Sequence, residues 1–380
     1  ACECSNEEQD HFIYDSIGIF MDYMLWDYAE SWCMRLKHIS PKYKGLPEIE
    51  AEIKMCTGDY DSAIDILNGI LDINSYNSQA WNMLAESYFS KGTFEEAIEA
   101  CQFALAINED DFKAISTLAD CYYHTSSFSK AHEYYEKALM MRQDDALYHM
   151  DAVSLFQMGE FEQALVQLKK AREIIEDDPE KEIYVAMQLA TVASKLHLFD
   201  EAMSYLKRVK SLIRDKRGLI DYEVLYGQVM LENGFADKAR EHFENALTKC
   251  EDTDKAVLVI GIAYYEQEHY RMAAEILSKL ADKPDSVTAN FALPYLALCH
   301  MKLENTELYL KYLRLATTHC TELTAQLFEE LFPGVQPEDI YYYAYKNIYG
   351  CFPNILRILF QYLPLTYIHR RFSLPPNMFG

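Results

Sequence analysis

The residues best suited to chemistry in this chain are histidines and cysteines that stand close together. His132 and Glu133 begin like the His-Glu-x-x-His helix of zinc proteases, in which two histidines one turn apart bind the metal. Glu136 occupies the place of the second histidine. Because a ligand is missing, we interpret this segment as helix surface and core.

Two further pairs, Cys299-His300 and His319-Cys320, contain residue types that bind zinc. Neighbouring residues of a helix point about 100° apart, so neither pair directs both side chains at one ion. We expect these residues to pack in the core and predict no metal and no cofactor. The sequence also lacks a glycine-rich phosphate loop, a G-x-S-x-G elbow and a dinucleotide fingerprint, which predicts a protein that is not an enzyme.

Away from these residues, the sequence repeats itself. A period of about 34 residues is typical of stacked copies of one helical unit, none of which buries its apolar face alone. Eight alanines recur here at steps of 33 to 38 residues: Ala29, Ala63, Ala97, Ala131, Ala164, Ala202, Ala239 and Ala273.

The same set of residues surrounds each alanine. An aromatic residue stands three places before it, with Ala236 as the exception, and a small residue stands twelve places before it, with Ile17 as the exception. Spacings of three, four, seven and eight place such residues on one stripe of an α-helix. Each copy is therefore predicted to be a pair of helices, A and B, whose small residues let the two backbones approach closely.

The third copy carries a start signal for its helix B. Lys91-Gly92 breaks the pattern, and Thr93 follows with Glu96 three residues later. This spacing is that of a capping box, so Thr93 is predicted to cap helix B through its side chain.

These units resemble the tetratricopeptide repeat (TPR) family. The residues that carry the resemblance in two consecutive copies are Trp81, Leu84, Ala85, Tyr88, Phe94, Ala97 and Ala104, then Ile115, Leu118, Ala119, Tyr122, Phe128, Ala131, Tyr135 and Ala138. Tryptophan occupies its family position at Trp81 alone. The resemblance implies an all-α, right-handed superhelical solenoid of antiparallel helix pairs over residues 10–321, with about nine pairs, the first and last degenerate.

The resemblance also implies a binding surface. In the family, helix A lines the concave groove, so its fifth, ninth and twelfth positions meet a ligand. A row of aromatic rings beside amides and carboxylates suits an extended peptide. The groove residues predicted in this way are Asn82, Glu86, Phe89, Ser116, Asp120, Tyr123, His149, Phe156, Gln228 and Tyr265.

A structural interpretation of the same aromatic residues stays open, because rings at helical spacing more often pack within the helix layer than bind ligands. One family function is disfavoured. Chaperone-binding members hold a C-terminal carboxylate with Lys and Asn at the fifth and ninth positions, whereas Asn82 and Glu86 stand there in this chain. An acidic groove repels such a tail.

Charge narrows the class of partner. The chain of 380 residues has a formal net charge of −25. Nucleic acids need clustered Lys and Arg, so they are disfavoured, and a neutral or basic protein or peptide is the expected partner.

No apolar run reaches the length of about 18 residues that a transmembrane helix needs, which predicts no transmembrane segment. The oligomeric state stays open.

Cysteine usage indicates the compartment. Cys33 and Cys101 stand four residues after their alanines, at a helix B position where core residues lie. Buried single thiols favour a reducing compartment, so we expect a cytoplasmic protein. An alternative stays open, because Ala1-Cys2 is also compatible with a trimmed leader and a lipid anchor on Cys2.

The two ends differ from the repeats. Residues 1–9 are predicted to be an N-terminal extension, and residues 322–350 read as capping helices, as an open solenoid end requires. Residues 351–380 form an apolar tail whose charged residues are Arg357, Arg370 and Arg371. The tail is expected either to add to the cap or to dock on the array, or on that of a neighbour, as a resident ligand.

Together these features predict a non-catalytic scaffold that presents a concave groove to a peptide or protein segment. Two alternatives remain. In the first, the chain is an assembly adaptor anchored to lipid outside the cytoplasm. In the second, it is a regulatory TPR domain of a larger enzyme.

Overall fold

The computed structural model describes residues 6–175, 178–250, 253–281, 283 and 286–349, and these form α-helices joined by short turns, with no strand among them. The chain divides into two compact units, residues 1–212 and 213–380. The division between them falls inside the range 10–321 that was predicted as one array. Cys2 and the tail 351–380 lie outside the described residues.

The first unit contains six helix pairs, and the two helices of each pair contact one another along the hairpin. Turns this short join antiparallel neighbours. The helices are α1 Asn6–Asp22, α2 Trp26–Ile39, α3 Leu46–Cys56, α4 Tyr60–Ile73, α5 Ser78–Lys91, α6 Phe94–Ile107, α7 Phe112–His124, α8 Phe128–Met141, α9 Asp145–Gln157, α10 Phe161–Ile174, α11 Pro179–Lys195 and α12 Phe199–Leu212.

The described part of the second unit contains three more pairs, followed by shorter helices that contact the last pair. Its helices are α13 Lys216–Glu232, α14 Ala236–Lys249, α15 Thr253–Glu266, α16 Tyr270–Ala281, α17 Val287–Lys302, α18 Thr306–His319, α19 Thr321–Phe328 and α20 Ile340–Tyr349, with a 3-10 turn over Pro337–Asp339. Ile340 and Ala344 of α20 are buried. The segment predicted as a cap thus contains α20 and the 3-10 turn.

The beginning of the chain differs from the prediction. The backbone is helical from Asn6, so residues 6–9 belong to α1 and not to an extension. Glu8 lies in the first turn of α1, where a negative charge favours the N-terminus of a helix.

The repeating alanines form the centre of the core, as predicted. All eight are 0% exposed, and the aromatic residue three places earlier is the first residue of helix B in each copy that has one. In the ninth pair, Tyr309 takes the place of the alanine and is buried, with Ala297 twelve residues before it. The alanine period therefore ends at Ala273, although the helix pairs continue.

Two glycines show how closely the helices of a pair approach. At Gly227 of α13, an added Cβ lies 2.5 Å from the ring of Phe243 on α14. At Gly261 of α15, an added Cβ overlaps Leu277 of α16. Real Cβ atoms do not approach other atoms this closely, so a glycine is required at both positions for these partners to fit.

The turn between the helices of a pair has one conformation throughout the described pairs. The residue two places before helix B has a positive φ of 56° to 84° in all nine. Glycine, which adopts this conformation without steric cost, occupies four of these positions: Gly58, Gly92, Gly159 and Gly234. The other five hold a side chain in a left-handed conformation: Met24, Ser126, His197, Glu268 and Glu304.

The capping box predicted at Thr93 is wrong in its details. Thr93 is the N-cap residue of α6, but its side chain makes no capping hydrogen bond. Its hydroxyl instead donates to the carbonyl oxygen of Tyr88 at 3.3 Å, because the left-handed turn at Gly92 brings the end of α5 close.

We expect Gly227→Ala to destabilise the protein by about 1–3 kcal/mol, because the new methyl group overlaps the Phe243 ring in a packed core. Adding Phe243→Leu should recover most of this loss, since Ala190 and Leu206 form the equivalent pair in α11 and α12. Denaturant unfolding followed by circular dichroism measures both changes. A double variant no more stable than Gly227→Ala would contradict the steric explanation.

Replacing a left-handed side chain with glycine should stabilise the protein. Glu304 is exposed and has a φ of 57°. We expect Glu304→Gly to raise the free energy of unfolding by about 0.5–1 kcal/mol, the relief of left-handed strain less the added chain entropy of glycine. Glu304→Ala is the matched control, because it removes the same charge but keeps the Cβ. Equal stability of the two variants would show that strain is not the cause.

Candidate functional site

An open cleft of about 400 Å³ lies in the first unit. It is formed on three successive A helices, α3, α5 and α7, which contact one another in order. Residues of the cleft are Met55, Cys56, Tyr60, Glu86, Phe89, Ser90, Thr117 and Asp120. It therefore brings together Glu86, Phe89 and Asp120 from the predicted groove.

Asp120 is the most perturbed acid of the cleft. The hydroxyl of Tyr135 on α8 donates to its Oδ1 at 2.5 Å. Burial raises the pKa of the Asp120 carboxyl, and the Tyr135 hydrogen bond and the charge of His124 act in the opposite direction. Among the described residues, Oδ2 has no hydrogen-bond partner, and it remains accessible to solvent.

Glu86 is the second acid of the cleft, and it is already paired. Lys113 of α7 lies 2.8 Å from its Oε1. The lysine side chain is 53% exposed, so this ion pair is screened by solvent and worth less than about 1 kcal/mol. Glu86 and Lys113 join α5 to α7 at the cleft without closing it.

Phe89 forms the aromatic wall of the cleft. Its ring packs edge-on against Phe94 at 5.6 Å and against His124 at 5.4 Å between ring centroids. Phe94 and His124 are themselves stacked at 4.8 Å. The cluster fixes the Phe89 side chain, since each ring supports the others.

The same contact recurs wherever the twelfth position is aromatic. Each such ring packs on the aromatic residue that begins helix B of its own pair, at 5.2 to 5.7 Å: Tyr123 on Phe128, Phe156 on Phe161 and Tyr265 on Tyr270. These rings brace the turn between the two helices. The contact supports the structural interpretation of Tyr123, Phe156 and Tyr265, none of which lines the cleft.

Of the predicted residues at the fifth position, Asn82 bonds to the next helix pair and Ser116 bonds within its own helix. Asn82 is 8% exposed, and its Nδ2 donates to Asp111 at 2.8 Å, while Asp111 caps α7. Burial opposes ionisation, but the hydrogen bond from Asn82 and those from backbone N–H groups hold the pKa of Asp111 below its usual value. Asn82 Oδ1 is buried without a partner. Ser116 donates to the carbonyl oxygen of Lys113 at 3.0 Å.

The remaining predicted residues lie away from the cleft. His149 of α9 contacts the Tyr184 ring at 4.9 Å, and burial lowers the pKa of its imidazole while Asp145 acts to raise it. Gln228 and Tyr265 belong to the second unit. The structure therefore does not gather the ten predicted residues into one described site.

Five residues of the cleft are absent from the predicted groove: Met55, which stands at the twelfth position of its helix, and four others. Cys56 and Ser90 each follow the twelfth position of their helix, Thr117 stands three residues before Asp120, and Tyr60 begins helix B. Residues three or four apart share a helix face, so Ser90 lies on the side of Glu86, and Thr117 on the side of Asp120. Extending the predicted positions by one helical turn would have found both.

His132 takes part in a buried polar link and not in a site. Its Nδ1 lies 2.5 Å from Asp151 on α9, and Gln167 on α10 donates to the other oxygen of Asp151 at 2.6 Å. Asp151 is fully buried, and burial raises the pKa of its carboxyl against these two hydrogen bonds. The three residues join consecutive pairs of the first unit.

Cys299 and His300 likewise belong to packing. Cys299 is fully buried, and burial raises the pKa of its thiol to about 12. His300 stacks on Tyr312 at 5.5 Å. Within the part of the chain that the structure describes, no three His, Cys, Asp or Glu side chains are grouped to hold a metal ion.

Cys33 and Cys101 are buried at their predicted core positions, and burial raises the pKa of Cys33 to about 11.

None of the described helices combines the length and the apolar character that crossing a bilayer requires.

Comparison with known families accounts for this arrangement. Two tetratricopeptide repeat models match the chain, one over residues 51–112 and the other over residues 88–150. Every residue that lines the cleft falls within these ranges. Residues 51–150 are therefore tetratricopeptide repeats, and the described helix pairs have the all-α fold of that family. Repeats of this kind form protein-interaction scaffolds.

Several solved structures are similar to the chain. A tetratricopeptide repeat protein from Parabacteroides merdae is 14% identical, covers 67% of this chain and 98% of its own, and has a TM-score of 0.48. YrrB, described as a TPR protein with an unusual peptide-binding site, is 21% identical over 50% of this chain and 95% of its own, with a TM-score of 0.42. The APC/C hetero-tetramer Cut9–Hcn1 is 18% identical over 80% of this chain and 59% of its own, with a TM-score of 0.43. No curated protein sequence matches.

The burial of Asp120 predicts a pH-dependent effect on stability. A carboxyl whose pKa is raised on folding favours the folded state at low pH, and this contribution is lost as the pH rises through the folded pKa. Asp120→Asn should therefore be more stable than the wild type at pH 7, and the difference should vanish toward pH 3. Asp110→Asn, an exposed change of equal charge, is the control in denaturant unfolding at each pH. An Asp120→Asn variant less stable than the wild type at pH 7 would contradict this.

Proposed function

We propose that this protein is a non-catalytic scaffold that holds an extended, neutral or basic segment of a partner protein in the cleft on α3, α5 and α7. The observation that carries the proposal is the cleft itself, with Phe89 as its wall and Glu86 and Asp120 as its acids. Its volume of about 400 Å³ suits one or two side chains and not a whole folded surface.

The lining supports a peptide as the ligand. Tyr60 and Phe89 offer rigid aromatic surface, which binds a side chain at low entropic cost, and Met55 adds apolar surface that adapts to it. The hydroxyls of Ser90 and Thr117 donate and accept hydrogen bonds and suit the backbone of an extended segment. Specificity then comes from a few polar groups beside an apolar wall.

Charge supports a neutral or basic partner. The chain carries a formal charge of −25, so its field attracts cations and repels anions at long range. The chain's own residues 351–380, which carry three arginines and no acidic residue, are one source of such a segment. A synthetic peptide of this sequence, added in trans, tests that source directly.

We also propose a reducing, cytoplasmic setting. Cys33, Cys101 and Cys121 support it, because each is a single thiol packed in the core of the first unit.

The proposal predicts that filling the cleft abolishes binding. Ser90 is exposed and lines the cleft, so Ser90→Arg should place a long side chain inside it and weaken peptide binding at least 10-fold. Ser129→Arg is the matched control, because Ser129 is exposed on α8 and is not among the lining residues. A displayed library of random nine-residue peptides, selected on each protein, provides the measurement. Equal enrichment on the wild type and on Ser90→Arg would refute binding in the cleft.

Cys56 offers a second readout. It is exposed and lines the cleft, whereas Cys33, Cys101 and Cys121 are buried. A peptide in the cleft should slow the alkylation of Cys56 by N-ethylmaleimide, which peptide mass mapping assigns to this residue.

A further inference from the structure

Asp120 is oriented to accept from a cationic donor, and among the described residues the charge of His124 already acts on it. Its Oδ1 accepts a hydrogen bond from the Tyr135 hydroxyl, which fixes the orientation of the carboxylate. Its Oδ2 has no hydrogen-bond partner among the described residues, and Asp120 itself lines the cleft. No Lys or Arg among the described residues forms an ion pair with Asp120, whereas Glu86, across the same cleft, already has Lys113. A half-buried carboxylate with one free oxygen gains most from a charged donor.

The walls of the cleft suit the rest of such a side chain. Met55, Phe89 and Tyr60 provide the apolar surface along which a long aliphatic stem packs while its charged end reaches a carboxylate. A guanidinium also stacks on aromatic rings, and the chain itself places Arg142 over the Phe112 ring at 4.1 Å.

Arginine fits these features better than lysine does. The guanidinium is more weakly hydrated than an ammonium group, so it loses less on entering a half-buried cleft. Its planar fork of five donors reaches an acid and a neighbouring hydroxyl together, and Ser90 and Thr117 offer hydroxyls in the same lining.

We infer that the cleft recognises one arginine side chain of the partner segment, with the guanidinium on Asp120 Oδ2 and the aliphatic stem against Phe89, Met55 and Tyr60. This inference rests on the proposed function and adds the residue that the site selects. Tyr135 is then a positioning residue, since it acts through Asp120 and lies outside the lining of the cleft.

The test uses a nine-residue peptide with a central arginine and neutral flanks, chosen as the best binder from a library of that design. The same peptide is then made with citrulline, lysine or glutamate at the centre. Citrulline has the shape of arginine without its charge. On the full-length protein, the arginine peptide should bind at least 10-fold more tightly than the citrulline peptide, with lysine between them and glutamate weakest.

The matched variants are Asp120→Asn and Asp110→Asn, which remove the same charge inside and outside the cleft. Asp120→Asn keeps an oxygen for Tyr135 and should reduce the preference for arginine over citrulline to less than twofold. Asp110→Asn should leave the preference unchanged. Lowering the pH should weaken the arginine peptide alone, because protonation of Asp120 removes its charge.

The outcomes separate two kinds of failure. If the peptides protect Cys56 and Ser90→Arg blocks them, but arginine and citrulline bind equally, the cleft binds peptides and the arginine assignment is wrong. The assignment is also wrong if Asp120→Asn keeps the full preference. If no peptide of the series protects Cys56, the proposed function fails and the arginine assignment fails with it.

Discussion

The close approach of two helix backbones within each pair is the constraint on which the rest of the structure depends. Buried alanines near the start of helix B leave room for helix A, and at Gly227 and Gly261 an added methyl group overlaps the partner helix. Because the approach is fixed, the turn between the helices is fixed as well. All nine described turns pass through a left-handed residue, including the five where a side chain makes that conformation costly. Packing thus overrides the local preference of the backbone.

The same constraint accounts for the aromatic residues near the end of helix A. A ring at the end of helix A packs on the ring that begins helix B, so Tyr123, Phe156 and Tyr265 support the hairpin. Phe89 makes this contact too, yet it also lines the cleft beside Asp120. A position that stabilises four of the described pairs therefore also lines a cleft where neighbouring helices leave space beside it. Whether such a ring only supports its hairpin or also lines a cleft depends on the helices packed beside it and not on its residue type.

The helix pairs and their core were predictable from the sequence, because a buried alanine and a helix-B aromatic recur with fixed spacing. The turns at Met24 and Glu268 were not, since neither residue type signals a left-handed conformation. The position of the cleft was also beyond prediction. Asn82 and Glu86 look like ligand-binding residues in sequence. In the structure, Asn82 donates a hydrogen bond to Asp111 and Glu86 forms an ion pair with Lys113, both on the next repeat. Such contacts join residues about 30 positions apart, and only the stacking of neighbouring pairs decides which groups stay free.

The helix B of eight pairs has the same length, 14 residues, and α16 alone is shorter, with 12. Because these helices have equal lengths and contact their partners through the same small residues, the pairs of a unit are structurally equivalent. Gene duplication can insert or remove one pair with changes confined to its neighbours, because each pair contacts only the pairs beside it. The length of a unit is then free to vary in evolution while each hairpin stays unchanged.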